Sequence, residues 1–151
     1  MFGAATIGPL TSTSAVLTHD SSVIGMLDAG DVFTIMFNEA TSLSPLTRIR
    51  FVDADCGAPG SQRSGPATCA PPTTQSRSDV ICGSNSNCVL SPDGTMLTVT
   101  MTASPVVVDA GSVPGTQFPV DIVDSSGIQD LGGNPWSTTT SADRVIGLEG
   151  Q

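Results

Sequence analysis

Apolar and polar residues alternate with a period of two along several short segments of the chain, which is the pattern of β-strands. The clearest segment is 32–37, where Phe33, Ile35 and Phe37 share one face and the other face is also partly apolar. We therefore expect a central strand there. Alternation or short apolar runs recur in segments 14–18, 23–27, 48–53, 80–81, 88–90, 96–102, 106–108 and 144–148. The pattern predicts seven to nine short strands and no substantial helix.

Residues 117–136 form the most informative stretch of the chain. In the first half, Phe118 and Ile122 fall on one face of an extended segment, and residues 130–135 then supply Asp, Gly, Asn and Pro, which favour tight turns. Trp136, the only tryptophan, follows the turn. We expect its ring to lie in the core, the alternative being an exposed ring that stacks on a sugar. A strand that leads into such a turn is typical of a β-sandwich corner.

The segments between the predicted strands are of three kinds. Residues 91–94, Ser-Pro-Asp-Gly, suit a hairpin turn. Residues 38–46 have no strand period, and we expect one helical turn around Ser44 and Pro45, because Pro is tolerated at the first helical position. Residues 54–87 are dominated by Gly, Pro, Ser and Thr and are interpreted as an insertion, and residues 1–13 as a lead-in or an edge strand. The 151 residues fit one all-β sandwich domain, 1–151.

Four cysteines lie in or at the edge of this insertion, at Cys56, Cys69, Cys82 and Cys88. A loop of that length is unusual in a compact domain unless it is pinned, and an even number of cysteines in a polar, acidic chain indicates disulfides and an extracellular location. We favour Cys56–Cys69 with Cys82–Cys88, because both loops are short. The nested pairing Cys56–Cys88 with Cys69–Cys82 stays open, as does the third pairing. Zinc is disfavoured because no two cysteines have Cys-x2-Cys spacing.

Charge and hydropathy exclude two classes of partner. The formal net charge is −9 and the basic residues are five scattered arginines, so a nucleic acid would be repelled. No apolar run approaches the roughly 20 residues of a membrane helix, so we expect no membrane insertion. No basic segment followed by an apolar run opens the chain. If the protein is exported, we expect Met1 to be a start codon added to an excised fragment.

Acidic turns are the candidate metal sites. Asp124, Asp130 and Asn134 could present oxygen ligands to calcium, and so could Asp28 and Asp31 near another turn. The competing interpretation, which we favour, is that these side chains bond to the backbone of their own turns. No other cofactor is expected.

Candidate catalytic and anion-binding residues are few. His19 lies beside Asp20, but no Gly-x-Ser-x-Gly elbow is present, so we interpret His19 as a solvated turn residue and the protein as non-catalytic. Arg48 and Arg50 are expected on the outward face of a strand, where they could bind a carboxylate or a sulfate. Such a face also carries charged residues by default.

Three stretches, in order, resemble the bacterial immunoglobulin-like domains of S-layer proteins and large surface adhesins. They are residues 29–39, Ala-Gly-Asp-Val-Phe-Thr-Ile-Met-Phe-Asn-Glu; residues 93–99, Asp-Gly-Thr-Met-Leu-Thr-Val; and residues 128–135, Ile-Gln-Asp-Leu-Gly-Gly-Asn-Pro. In that family they correspond to a turn and central strand, a hairpin, and a corner before the last strand. Gly132 stands where the family usually has Ala, and the cysteine-bearing insertion is outside the family pattern.

The resemblance implies an immunoglobulin-like β-sandwich and a structural or adhesive module of an exported bacterial cell-surface protein. Its partners would be a protein or glycan at a cell surface, or neighbouring domains of the same chain. A decoration or fibre domain of a phage virion is the alternative, because it can use the same sandwich. A carbohydrate-binding module is a further alternative and would need an exposed aromatic platform, for which six aromatic residues leave little.

Overall fold

Nine β-strands and no helix are present in the computed structural model, which describes residues 9–19, 27–52, 77–107, 121–137 and 145–146. The prediction of an all-β chain with seven to nine strands is therefore confirmed. The strands are β1 (Ser12–His19), β2 (Val32–Phe37), β3 (Thr41–Val52), β4 (Arg77–Ile81), β5 (Ser86–Leu90), β6 (Met96–Met101), β7 (Val106–Val107), β8 (Asp121–Asp130) and β9 (Val145–Ile146).

The strands form two sheets, as in a β-sandwich. One sheet has five strands in the order β5-β6-β2-β1-β9, and the other has four in the order β7-β4-β3-β8. Neighbouring strands are antiparallel with one exception. β9 runs parallel to β1, with Ala15 opposite Val145 and Val16 opposite Ile146. β2 lies in the middle of the five-stranded sheet, as its two partly apolar faces predict.

The core lies between the sheets and is built from the inward side of each alternating strand. Phe33 of β2 meets Phe51 of β3 edge to face, with ring centroids 5.4 Å apart, and both rings are fully buried. Burial of a side chain of this size contributes about 2–3 kcal/mol before entropy is subtracted. The apolar residues at alternate positions of segments 32–37, 48–53 and 96–102 are all in this core: Phe33, Ile35, Phe37, Ile49, Phe51, Leu97, Val99 and Met101.

Residues 38–46 do not form the predicted helical turn, because β3 begins at Thr41 and continues to Val52. Its register against β8 shifts between Leu43 and Arg48, so that residues 44–47 lie opposite the single residue Gly127. Pro cannot donate a hydrogen bond to a neighbouring strand and is tolerated in such a bulge. We name residues 44–47 the β3 bulge.

The predicted boundaries of the insertion and the lead-in also need correction. The interval 54–87 contains all of β4 and the first residues of β5, so its described part belongs to the two sheets. β1 begins at Ser12, two residues inside the predicted lead-in. The predicted strand at 23–27 lies outside the described residues except for Leu27, which is buried. Within the described ranges, no helix is long and apolar enough to cross a membrane.

Candidate functional site

The turn that follows β8 is organised by the carboxylate of Asp130. This side chain is 1 % exposed. Its Oδ1 atom accepts hydrogen bonds from the backbone N–H groups of Gly132 and Asn134, each at 2.8 Å, and its Oδ2 atom accepts one from Nδ2 of Asn134, also at 2.8 Å. Burial raises the pKa of Asp130, but these hydrogen bonds from Asn134 and Gly132 outweigh it, and the pKa is lowered overall. Asp130 thus bonds to its own turn, as we favoured from the sequence.

After this turn the chain folds back along β8, and Trp136 enters the core. The backbone N–H of Trp136 donates to the carbonyl oxygen of Ile128, and the ring packs edge to face on Phe37 with centroids 5.2 Å apart. The side chain is 5 % exposed. The prediction of a core tryptophan is confirmed, and the ring is not on the surface where a sugar could stack on it. The other described aromatic residues, Phe33, Phe37 and Phe51, are buried as well.

The residues proposed to bind calcium are not brought together as one group. Asp124 and Asp130 both lie on β8, and six residues of regular strand span about 20 Å. Asp124 pairs in register with Arg50 of β3. The part of the chain that the structure describes contains no cluster of three or more His, Cys, Asp or Glu residues suited to a metal.

The second candidate acidic site forms the turn that leads into β2. Asp31 is fully buried, and its Oδ2 atom accepts a hydrogen bond of 2.8 Å from the backbone N–H of Asp28. The turn is joined to the end of β6, because the N–H of Gly30 donates to the carbonyl of Met101 and the N–H of Met101 donates to the carbonyl of Asp31. These carboxylates therefore lie in a turn that connects two strands of one sheet.

A third acidic turn, at Asp93, joins β5 to β6 as the predicted hairpin. Its exposed carboxylate accepts hydrogen bonds from the Ser91 hydroxyl and from the Thr95 backbone N–H and hydroxyl, at 2.6, 3.1 and 2.9 Å. These hydrogen bonds lower the pKa of Asp93, and the bond from Ser91 has the largest effect. The carbonyl of Gly94 accepts from the N–H and the hydroxyl of Thr41, so the hairpin also joins the five-stranded sheet to the start of β3.

The cysteines predicted to pair as neighbours in the second half of the insertion form a disulfide. Cys82 follows β4, Cys88 lies in β5, and their Cα atoms are 5.4 Å apart. The nested pairing is thereby wrong, because it assigns each of these two cysteines to a different partner. Cys56 and Cys69 lie outside the described residues.

The disulfide closes a loop that contains the buried polar residue Asn85. Its side-chain oxygen accepts from the N–H of Ile81 at 2.7 Å, and its Nδ2 donates to the carbonyl of Asp79 at 2.8 Å. Its own carbonyl accepts from the N–H groups of Thr102 and Ala103. Asn85 and the disulfide therefore connect the four-stranded sheet to the five-stranded sheet at the same place.

The two outward arginines lie on β3 as predicted, in the middle of the four-stranded sheet. Arg50 forms a two-point ion pair with Asp79 of β4, with Nε–Oδ1 and Nη2–Oδ2 distances of 2.7 and 3.0 Å. Asp79 is 7 % exposed, so the guanidinium is directed at a carboxylate of the same sheet. His19 is an exposed residue at the end of β1, opposite Val32, rather than a turn residue. Asp20 lies outside the described residues.

Sequence reasoning missed the β3 bulge, which presents Leu46 to solvent at 65 % exposure with a φ of 57°. The hydroxyl of Thr47 is buried beneath it, 2.7 Å from the carbonyl oxygen of Ser44 and 3.1 Å from that of Gly127. Gly127 has a φ of 86°. No local pattern could reveal this arrangement, because Thr47 and Gly127 are 80 residues apart.

Sequence reasoning also missed the outward side of the five-stranded sheet, which we name the neutral face. The strand registers place its residues in three rows across β5, β6, β2 and β1: Asn87, Thr100, Val32 and His19; then Val89, Thr98, Thr34 and Val16; then Met96, Met36 and Ser14. None of them is Asp, Glu, Lys or Arg. Most are half-buried, and Val89 is 64 % exposed. The sequence did contain a signal for this face, because the residues between the inward positions of each alternating strand must point outward.

Comparisons of the chain with protein-family models, with curated proteins and with solved structures find no match. The geometry described above is therefore what bears on function.

Proposed function

We propose that the chain is a non-catalytic, immunoglobulin-like module of an exported bacterial surface protein, in which it serves as a spacer or adhesive unit that carries tension. The observation that carries this proposal is the parallel pairing of β1 with β9. In a parallel pair the chain enters the first strand at one end and leaves the second strand at the opposite end. Tension between the two chain termini then pulls the strands past each other.

This geometry supports a mechanical role because shear loads the inter-strand hydrogen bonds together rather than one after another. β1 is also paired with β2 over six residue pairs, so the strand that takes the load is held on both sides. The disulfide and Asn85 join the two sheets elsewhere in the sandwich. The proposal predicts that the domain resists tension between its termini more strongly than tension that peels β1 and β9 apart, as measured by force spectroscopy.

The family resemblance supports the same proposal at the level of the turns. Each of its three motifs contains one Asp that bonds to the backbone of its own turn: Asp31, Asp93 and Asp130. A motif whose acidic residue shapes a turn is suited to building a sandwich rather than to chemistry. Partners under this proposal are a protein or glycan at a cell surface, or neighbouring domains of the same chain.

The exported, extracellular location is supported by the Cys82–Cys88 disulfide. The test is peptide mapping by mass spectrometry, without reduction, of protein isolated from its native source. We expect Cys82 linked to Cys88 and Cys56 linked to Cys69. Free thiols at all four positions would contradict export to an oxidising compartment.

A decoration or fibre domain of a phage virion is the second candidate, and the neutral face favours it. A virion component must contact copies of itself or of a capsid protein, and an uncharged sheet face suits such contacts. Fractionation distinguishes the two candidates: a surface module is recovered with the cell envelope, whereas a virion component is recovered with purified phage particles.

A further inference from the structure

We propose that residues 9–11, which we name the strap, close over the Phe37–Trp136 pair and open as one unit, with the side chain of Asn38 as their latch. This inference goes beyond the proposed function and holds equally for a surface module and for a virion component. Opening leaves the two sheets folded and exposes the only tryptophan of the chain to solvent.

The latch residue, Asn38, bonds to both ends of the strap. Its Oδ1 atom accepts a hydrogen bond of 2.9 Å from the N–H of Thr11, and its Nδ2 atom donates one of 3.1 Å to the carbonyl of Pro9. Its backbone N–H also donates to the carbonyl of Thr11, at 3.0 Å. One side chain outside the strap therefore supplies two of the hydrogen bonds that hold the strap in place.

A fourth hydrogen bond anchors the strap beside Trp136. The N–H of Ser137 donates to the carbonyl of Leu10 at 3.0 Å. Asn38 directly follows Phe37 in the chain and Ser137 directly follows Trp136, so the strap is anchored next to each ring of the edge-to-face pair. The side chain of Leu10 is fully buried and belongs to the same core as both rings. The strap thus spans the pair and inserts one apolar side chain behind it.

The strap is separated from the regular part of β1. This strand begins at Ser12, and its register against β2 shifts between Ser12 and Ser14. Because such an irregularity interrupts the ladder locally, the strap can leave while Ser14 and the residues after it stay paired with β2. Openings that break few contacts need less free energy than global unfolding does. The strap therefore has the connections of a unit that opens by itself.

Closure of the strap is opposed by a buried donor. Nε1 of Trp136 is buried and has no hydrogen-bond partner among the residues that the structure describes. An unpaired buried donor disfavours the closed state by a factor of about 5–150, relative to an open state in which water bonds to it. The burial of Leu10 and the hydrogen bonds of Asn38 act in the opposite direction. Opening is consequently easier than it would be over a core whose polar groups are all paired.

The experiment is native-state hydrogen exchange, followed by NMR on the purified chain over a series of low urea concentrations. The probes are the amide of Ser137, which bonds to the strap, and the indole N–H of Trp136; the amide of Met101, which bonds to the carbonyl of Asp31, is the reference. Both probes should share one opening constant, at least about tenfold larger than that of the reference. Their exchange should depend only weakly on urea, because opening of the strap exposes little surface.

Three variants test the latch. Asn38→Ala removes both side-chain hydrogen bonds and should raise the opening constant by the same factor at the two probes, at least about tenfold. The matched control is Asn87→Ala, at an exposed position of β5, which should leave both probes unchanged. Leu10→Ala should raise the opening constant at least about thirtyfold, because a fully buried side chain is lost, and it does not depend on the folding of Asn38→Ala.

Three results would overturn the proposal. If both probes exchange with the opening constant and the urea dependence of Met101, the strap opens only when the whole domain unfolds. If exchange at Ser137 is unchanged in Asn38→Ala, Asn38 is not the latch. If the indole N–H of Trp136 exchanges independently of the Ser137 amide, the strap does not cover the ring.

Discussion

Replacing Gly127 by Ala should destabilise the protein far more than the same replacement at Gly133, although the two backbones are nearly alike. Their φ angles are 86° and 90°, so an Ala at either position costs about 1–2 kcal/mol for the left-handed conformation. The surroundings differ. A Cβ atom on Gly127 would lie 2.8 Å from Oγ1 of Thr47, whereas a Cβ atom on Gly133 would meet nothing within 4 Å.

The additional loss of stability expected at Gly127 arises from the hydrogen bonding of the Thr47 hydroxyl. Its hydroxyl is buried and lies within hydrogen-bond distance of the carbonyls of Ser44 and Gly127. If the hydroxyl moves, hydrogen bonding worth about 1 kcal/mol is lost, and if it stays, the overpacked contact costs about 1–3 kcal/mol. We therefore expect about 3 kcal/mol or more for Gly127→Ala and about 1–2 kcal/mol for Gly133→Ala.

Urea unfolding measures this difference. With a slope of about 1–3 kcal/mol per molar urea, the midpoints of the two variants should differ by about 1 M. The replacement should cost less in a Thr47→Ala background, because the nearest of the crowding atoms is then absent, and a double-mutant cycle measures that coupling. Equal destabilisation of the two variants, or additive effects of Gly127→Ala and Thr47→Ala, would refute this account of the β3 bulge.

Three further predictions follow from the turns and the disulfide. Replacing both Cys82 and Cys88 by Ser should lower stability by about 2 kcal/mol, since the bridge closes a loop with a sequence separation of only 6; thermal unfolding of the variant and the parent chain measures the loss. The pKa values of Asp93 and Asp130 are lowered in the folded protein, so both carboxylates stabilise the fold above the ordinary carboxyl pKa. This stabilisation is lost as the pH falls through the lowered values. Urea midpoints should therefore fall between about pH 5 and pH 2, and less steeply in Asp130→Asn. Calcium should leave the melting temperature unchanged, because Asp130 is engaged by its own turn; a rise that a chelator reverses would show that a calcium site exists.

The strands that could be predicted are those whose alternation alone determines their inward face. β2 and β6 combine apolar inward residues with adjacent turn residues, and both strands were predicted within about a residue of their ends, as was the hairpin turn between β5 and β6. The Cys82–Cys88 bridge could be predicted because it closes a short loop. In each case the deciding interactions lie within a few residues along the chain.

The features that were missed depend on contacts between distant residues. Ser44 and Pro45 suggest a helix start locally, but Gly127 allows them to bulge from a continuous strand. β4 was largely assigned to the insertion because only two of its residues, Val80 and Ile81, are apolar. Asp79 is stabilised by Arg50, which lies 29 residues earlier in the chain.

The candidate site could be predicted in part, for the same reason. The Asp130 turn was anticipated because its hydrogen-bond partners are at most four residues away. The separation of Asp124 from Asp130 could not be known before the length of β8, since a loop between them would have allowed both carboxylates to approach one ion.

Force spectroscopy with two attachment geometries tests whether the sandwich is built to carry tension. In the first geometry the handles are attached at the two chain termini, which loads β1 and β9 in shear. In the second the N-terminal handle is moved to His19, at the far end of β1, so that the same two parallel strands are peeled apart from one end. We expect a clearly higher unfolding force in the first geometry. Equal forces, or a lower force between the termini, would contradict it.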